Sequence, residues 1–296
     1  MDEADDFWAG RRWSTGAPSG FPGDLPGSSP AVPYSGAPPA RPPARAGVPA
    51  LRLLVLVVVG VAAAGALLAA ASTGAAVGSV IRVEQPAPAA DGWGPIAVDE
   101  HGAPARWDPC TPIRYVVQSG WIPDQGRTDL AEALRRLSAV SGLQFVDEGD
   151  TDELPSLARE AYQPEQYGER WAPLLVAWVP PERTDLGLSA GLAGGGAQGV
   201  SLATVVPSTG GPSLVSGQVA LNADNRLSAG FGAGTTDGEV LLHELAHAVG
   251  LNHVLDPTQV MYPQTTNGES TFGAGDRAGL AALGAPAGCH PAPAVR

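Results

Sequence analysis

The stretch HELAHAVGLNH, residues 243–253, gathers three of the chain's five histidines into eleven positions. Residues four apart on a helix project from one face, so His243 and His247 can offer their imidazoles to a single cation. Gly250 suits the left-handed conformation that ends a helix, after which the chain can turn and bring back His253 as a third ligand. Neutral imidazole is a strong zinc ligand. Three protein ligands leave a position for water, as in a catalytic rather than a structural zinc site. Glu244 stands beside the first ligand, suitably placed to act on that water. A buried helix can also carry histidine as a hydrogen-bonded core residue. The ligand spacing, the neighbouring acid and the scarcity of histidine favour the metal.

Holding three imidazoles still requires a helix packed against a core. Thr236 and Glu239 stand at capping-box spacing, so the helix can begin there. From Val240 to Val249 it is apolar apart from His243, Glu244 and His247. Upstream, residues 112–118, 143–146, 174–179, 200–206 and 217–222 read as strands. Residues 128–142 read as an amphipathic helix, with Leu130, Ala133, Leu134, Leu137 and Val140 on one face and Gly142 at its end. A glycine-rich bend is expected over 191–199. This succession predicts an α+β or α/β domain of roughly 200 residues.

The complete HExxHxxGxxH pattern resembles the extended zinc signature of the metzincin metalloproteases. Downstream, VMYP (260–263) is similar to their methionine turn, and Met261 is the only methionine besides the initiator. Tyr262-Pro263 most resembles the matrixin branch. RWDPCTPIRYVV (106–117) and GAGDRAGLAALG (273–284) are similar to the first strand and last helix of small matrixin-like proteins of actinobacteria. The resemblance runs from about Trp93 to Cys289, with its specific motifs in the zinc helix and the turn.

That resemblance implies an α+β zincin catalytic domain with a mixed twisted sheet, a long active-site helix and a Met-turn. It implies one catalytic Zn2+ held by His243, His247 and His253, with Met261 as the floor of the site. Glu244 would be the catalytic base that activates a zinc-held water against a peptide bond. The substrate would be a polypeptide lying extended along an edge strand, for which residues 200–206 are the candidate. Residues 262–271 would line the pocket beyond the scissile bond. Three departures stand out. Only His101 and His290 remain for a second zinc, and both are expected on loops. Pro263 occupies the position of a tyrosine ligand found in some branches, so Tyr262 is not assigned. No cysteine precedes Cys110 in this sequence, so any latency mechanism is expected to differ from the propeptide cysteine of secreted matrixins. The alternative reading is a non-catalytic, zinc-stabilised cell-surface binding module of the same fold, which would have no need of Glu244. A third is hydrolysis of a non-peptide amide, such as a cell-wall linkage.

The formal net charge of −13, with no lysine, argues against nucleic acid as a partner. An acidic run from Asp147 to Glu169 contains only Arg159. It reads as solvated surface, with a calcium site as a lesser reading that nothing else supports. Cys110 and Cys289 are expected to form a disulfide, free buried thiols being the alternative. Residues 1–52 read as a disordered Pro/Gly-rich cytoplasmic tail. Leu53–Ala71 is a run of nineteen residues without a charge, long enough to span a bilayer. Residues 53–72 are read as a signal-anchor, with 73–92 a linker and 93–296 the catalytic domain. Arg41, Arg45 and Arg52 precede the run and the nearest charge after it is Arg82, so the expected topology is single-pass, with the catalytic domain outside the cell. A secreted protein released by signal cleavage at AAASTGA is the alternative, and a buried core helix is the least favoured reading.

Overall fold

The computed structural model describes residues 81–82, 92–188, 198–225, 227–264 and 270–295. The expected tail (1–52) and signal-anchor (53–72) lie outside the described residues, as does the linker except for residues 81–82 and Gly92. Among the described residues no helix is long and apolar enough to cross a membrane.

One mixed sheet carries the domain. Its strands are β1 (Ile81–Arg82), β2 (Ile113–Gln118), β3 (Phe145–Thr151), β4 (Leu174–Val179), β5 (Gly199–Val206) and β6 (Ser213–Asn222), in the order β1-β5-β6-β4-β2-β3. β2 runs parallel to β3 and β4, and β4 parallel to β6; β5 is antiparallel to both β6 and β1. The central strands β4 and β6 are buried along their whole length. Continuous apolar runs such as LLVAWV suit that place, because both faces are covered.

Helix α1 (Gly126–Ser141) ends at Gly142, which takes the left-handed conformation (φ 72°). Its apolar stripe, Leu130, Ala133, Leu134 and Leu137, packs with Leu241, Leu242 and Leu245 of α3 (Asp237–Ala248) over Leu174, Val176 and Trp178 of β4. A short helix α2 (Pro164–Tyr167) and a final helix α4 (Ala274–Leu283) complete the set. The mixed sheet and long histidine-bearing helix fit the expected metzincin-like architecture. The expected strand at 143–146 is displaced: β3 starts at Phe145 and continues through the acidic residues to Thr151. Leu143 instead turns into the core directly after Gly142, 1% exposed.

Nor is the acidic run simply solvated. Glu148 pairs with Arg114 and Arg170, Asp150 with Arg127, and Glu153 with Arg159. Arg159 also donates to Ser216 Oγ and the Gly217 carbonyl, so this ion pair pins the 152–173 loop to the outer face of the sheet. Among the described residues no set of three carboxylates converges on a cation position.

Cys110 and Cys289 are joined as expected, 179 residues apart in sequence. The bridge fixes the C-terminal segment, where the backbone N–H of His290 donates to Asp108 and the Trp171 indole donates to the Pro293 carbonyl. Closing so long a loop restricts the unfolded chain. The double variant Cys110→Ser/Cys289→Ser is therefore expected to lose about 4–5 kcal/mol of stability. In a thermal melt that reads as a fall in Tm on the order of 10 °C.

Candidate metal centre

The histidine helix starts as its sequence predicts. Thr236 is the N-cap, its hydroxyl accepting from the Glu239 backbone N–H at 3.2 Å. It stops at Val249, where the Gly250 N–H donates to the His247 carbonyl and the Leu251 N–H to the Ala246 carbonyl. Gly250 has φ 110°, the left-handed region that glycine enters without a steric penalty. A β-carbon there would also press on the Ala105 carbonyl at 3.1 Å. The turn returns the chain, and His253 comes back over the helix.

The three Nε2 atoms form a nearly equilateral triangle. His243 and His247 are 3.1 Å apart, His243 and His253 3.1 Å, and His247 and His253 3.0 Å. The other ring nitrogens fix the tautomers: His243 Nδ1–H donates to the Val260 carbonyl and His247 Nδ1–H to the Leu251 carbonyl, both at 2.7 Å. A neutral imidazole has one N–H, so both Nε2 atoms present lone pairs to each other. Their contact has no proton to share. A cation held by the three imidazoles would remove that repulsion, and their separations suit the usual zinc–imidazole distance of about 2 Å. The donor set therefore fits zinc.

Glu244 lies on the same helix, 6% exposed, and Met261 is 1% exposed in the main core beside Leu241, Leu242 and Leu245 of that helix. Met261 belongs to the turn 259–262, held by Asp276 of α4. The Asp276 carboxylate accepts from the backbone N–H groups of Val260 (2.7 Å), Gly273 (2.8 Å) and Met261 (3.3 Å). Because the Val260 carbonyl orients His243, Asp276 supports a ligand at one remove. On the other side, residues 94–96 brace the loop that carries His253. The Asn252 N–H donates to the Gly94 carbonyl and the Ile96 N–H to that of Gly250. Asp276, Val260, Leu251 and this N-terminal strap go unmarked in the sequence reading, since their contributions are mainly backbone groups. Asp276 had only a weak signal, an acid in the first turn of a helix.

The two remaining histidines are not brought together. His101 is exposed in the 99–103 turn, where its backbone N–H donates to Asp99. His290, expected on a loop, is 3% exposed, with Nε2 3.0 Å from Ser213 Oγ and 3.1 Å from the Pro212 carbonyl. Ser213, His290 and Asp108 do not make a catalytic triad: Asp108 engages the backbone N–H of His290, and Ser213 has no exposed surface. Within the segment expected to line the pocket, residues 265–269 lie outside the described residues.

Burial sets the ionisation of the site. Desolvation lowers all three imidazoles, His253 to about 4 and His247 well below its ordinary value, and repulsion from neighbouring histidines adds to both of these shifts. Glu244 moves the other way, up to about 8, from burial alone. The two shifts have opposite effects on stability. An unfolded histidine gains its proton below about 6.5, whereas these resist it in the native state. Their contribution is thus present above pH 6.5 and is lost as pH falls toward 4. The contribution of Glu244 is present below about pH 4.5 and is lost as pH rises through 8. In the metal-free protein these trends oppose each other, and Glu244→Gln removes the second. Acidification from about pH 7 to 5 should therefore lower Tm more steeply in Glu244→Gln than in wild type, in melts run with a chelator.

Residues 195–283 match the family model for the matrixins, a span that takes in β5, β6, α3, the methionine turn and α4. No curated protein matches the chain.

Proposed function

We propose, from this matrixin-like zinc-peptidase domain, that the chain is an extracytoplasmic zinc-dependent endopeptidase held to the membrane through residues 53–72. The observation that carries the enzymatic part is the close triangle of the His243, His247 and His253 Nε2 atoms, with a buried carboxyl on Glu244 beside the first of them. Zinc at the three imidazoles supplies a Lewis acid that acidifies water and polarises the scissile carbonyl.

The chain's own groups supply the rest. Glu244 makes no hydrogen bond to another described residue, so its carboxylate is free to accept a proton from the attacking water. Burial raises its proton affinity, and a nearby cation favours the ionised form, which poises the group between base and acid. Having taken the proton, it can return it to the departing amide nitrogen as the C–N bond breaks. The strand expected to receive substrate is β5. Among the described residues it pairs with β6 on one side and, on the other, with β1 at Thr204 and Val205. From Gly199 to Ala203 no described strand pairs with that edge, and an extended polypeptide added there by backbone hydrogen bonding is the substrate mode of this reading.

The test uses the 296-residue chain purified in mild detergent. It should hold one zinc per chain and cleave members of a diverse peptide library. A protein that holds no zinc overturns the proposal, and one that holds zinc but cleaves nothing favours the binding-module alternative. Carbonate extraction tests the anchor: the intact chain should stay with the membrane, whereas release of a shortened chain would point to signal cleavage.

A further inference from the structure

Gly199 is the first residue of β5, paired with Leu221 of β6. Its φ lies outside the left-handed region, so the backbone alone does not call for glycine there. Space does. A β-carbon at Gly199 would stand 2.6 Å from Glu244 Cγ, 2.8 Å from Oε1 and 3.0 Å from Cδ. The first two are closer than packed atoms tolerate, and the third is at the limit. The nearest is the middle of the Glu244 side chain rather than its tip, and the residue is only 6% exposed, so the carboxyl has little room to swing aside.

The alternation along β5 explains how the strand comes so near. Val200 and Leu202 pack on the opposite face with Val179, Leu186 and Leu188. Gly199, Ser201 and Ala203 occupy the alternate positions, and all three are small. Glu244 takes no hydrogen bond from another described residue, so packing alone locates its carboxyl.

We infer that Gly199 is a positioning residue for Glu244, letting the substrate-receiving strand touch the base through bare backbone. A polypeptide paired along β5 then meets the carboxylate at a separation set by that one contact. This rests on reading Glu244 as the base of a peptidase. A side chain at position 199 displaces the carboxylate and leaves the three imidazoles, held by the Val260 and Leu251 carbonyls and the His253 loop, where they are.

The experiment is a pairwise cycle between Gly199→Ala and Glu244→Ala in the 296-residue chain. Gly199→Ala should keep one zinc per chain and lower kcat far more than it raises KM. Its kcat should fall about a hundredfold, the cost of misplacing a catalytic group by about 1 Å. A second readout needs neither metal nor substrate. In metal-free melts Gly199→Ala should lower Tm by about 2–4 °C. In the Glu244→Ala background, where the clash is gone, the same change should leave Tm unchanged or raise it, because alanine restricts the unfolded chain more than glycine does. Equal Tm changes in the two backgrounds, or an unaltered kcat, overturn the inference. If the wild type cleaves no peptide at all, the peptidase reading fails while the melting cycle still decides whether Gly199 locates Glu244.

Discussion

Glu244→Gln is expected to lower peptide hydrolysis by about 10²–10⁴-fold and to leave zinc content unchanged. Glutamine has the same shape, so the packing around a residue only 6% exposed is preserved. What it loses is the ability to accept a proton from water and hand it on. The ligands are untouched, because His243 and His247 are oriented by the Val260 and Leu251 carbonyls and not by Glu244. Stability should not fall either. Burial already drives the wild-type carboxyl toward its neutral form, up to about 8, so a neutral amide suits the same surroundings. Steady-state hydrolysis, metal analysis and a melt on one preparation separate these effects. Activity within about threefold of wild type would remove Glu244 from the chemistry, since a general base contributes far more than that.

The second large effect is structural. Asp276→Ala should destabilise the domain by about 3–5 kcal/mol. Asp276 has no exposed surface, and its carboxylate is an acceptor for the Val260, Met261 and Gly273 backbone N–H groups. Alanine leaves those donors without that partner and with little access to water, each at a cost of about 1–3 kcal/mol. The damage should reach the metal as well. Val260 carries the carbonyl that orients His243, so a loosened turn weakens zinc by about 10–100-fold. Thermal melts and competition with a chelator measure the two separately. Asp276→Asn should fall between the two proteins, since its carbonyl oxygen still accepts while its amide faces donors. A loss of Tm without any change in zinc affinity would break the proposed link from Asp276 to His243.

Much of the site is legible in the sequence. The i, i+4 pair, the helix-ending glycine and the third histidine are local, and local geometry follows from backbone periodicity. Thr236 as N-cap and Gly142 as left-handed terminus are local in the same sense. Strands β2 and β4 and helix α1 were readable because their apolar patterns match the periods of the elements they form. The acidic run was not. Arg114, Arg127 and Arg170 pair with it from other strands and loops, and only folding brings them there.

By itself, the sequence determined which residues can bind a cation, which carboxyl stands beside them, and that the helix must end before His253. Tertiary structure alone decided that the three Nε2 atoms meet within 3.1 Å, with the lone pairs of His243 and His247 facing each other. It also decided that Asp276 and residues 94–96 brace the turns on either side, and that Gly199 lies against Glu244. The physical reason is the same throughout. Residue type and periodicity fix what a segment can do, while backbone carbonyls, N–H groups and the absence of a side chain act only on whatever the fold packs against them.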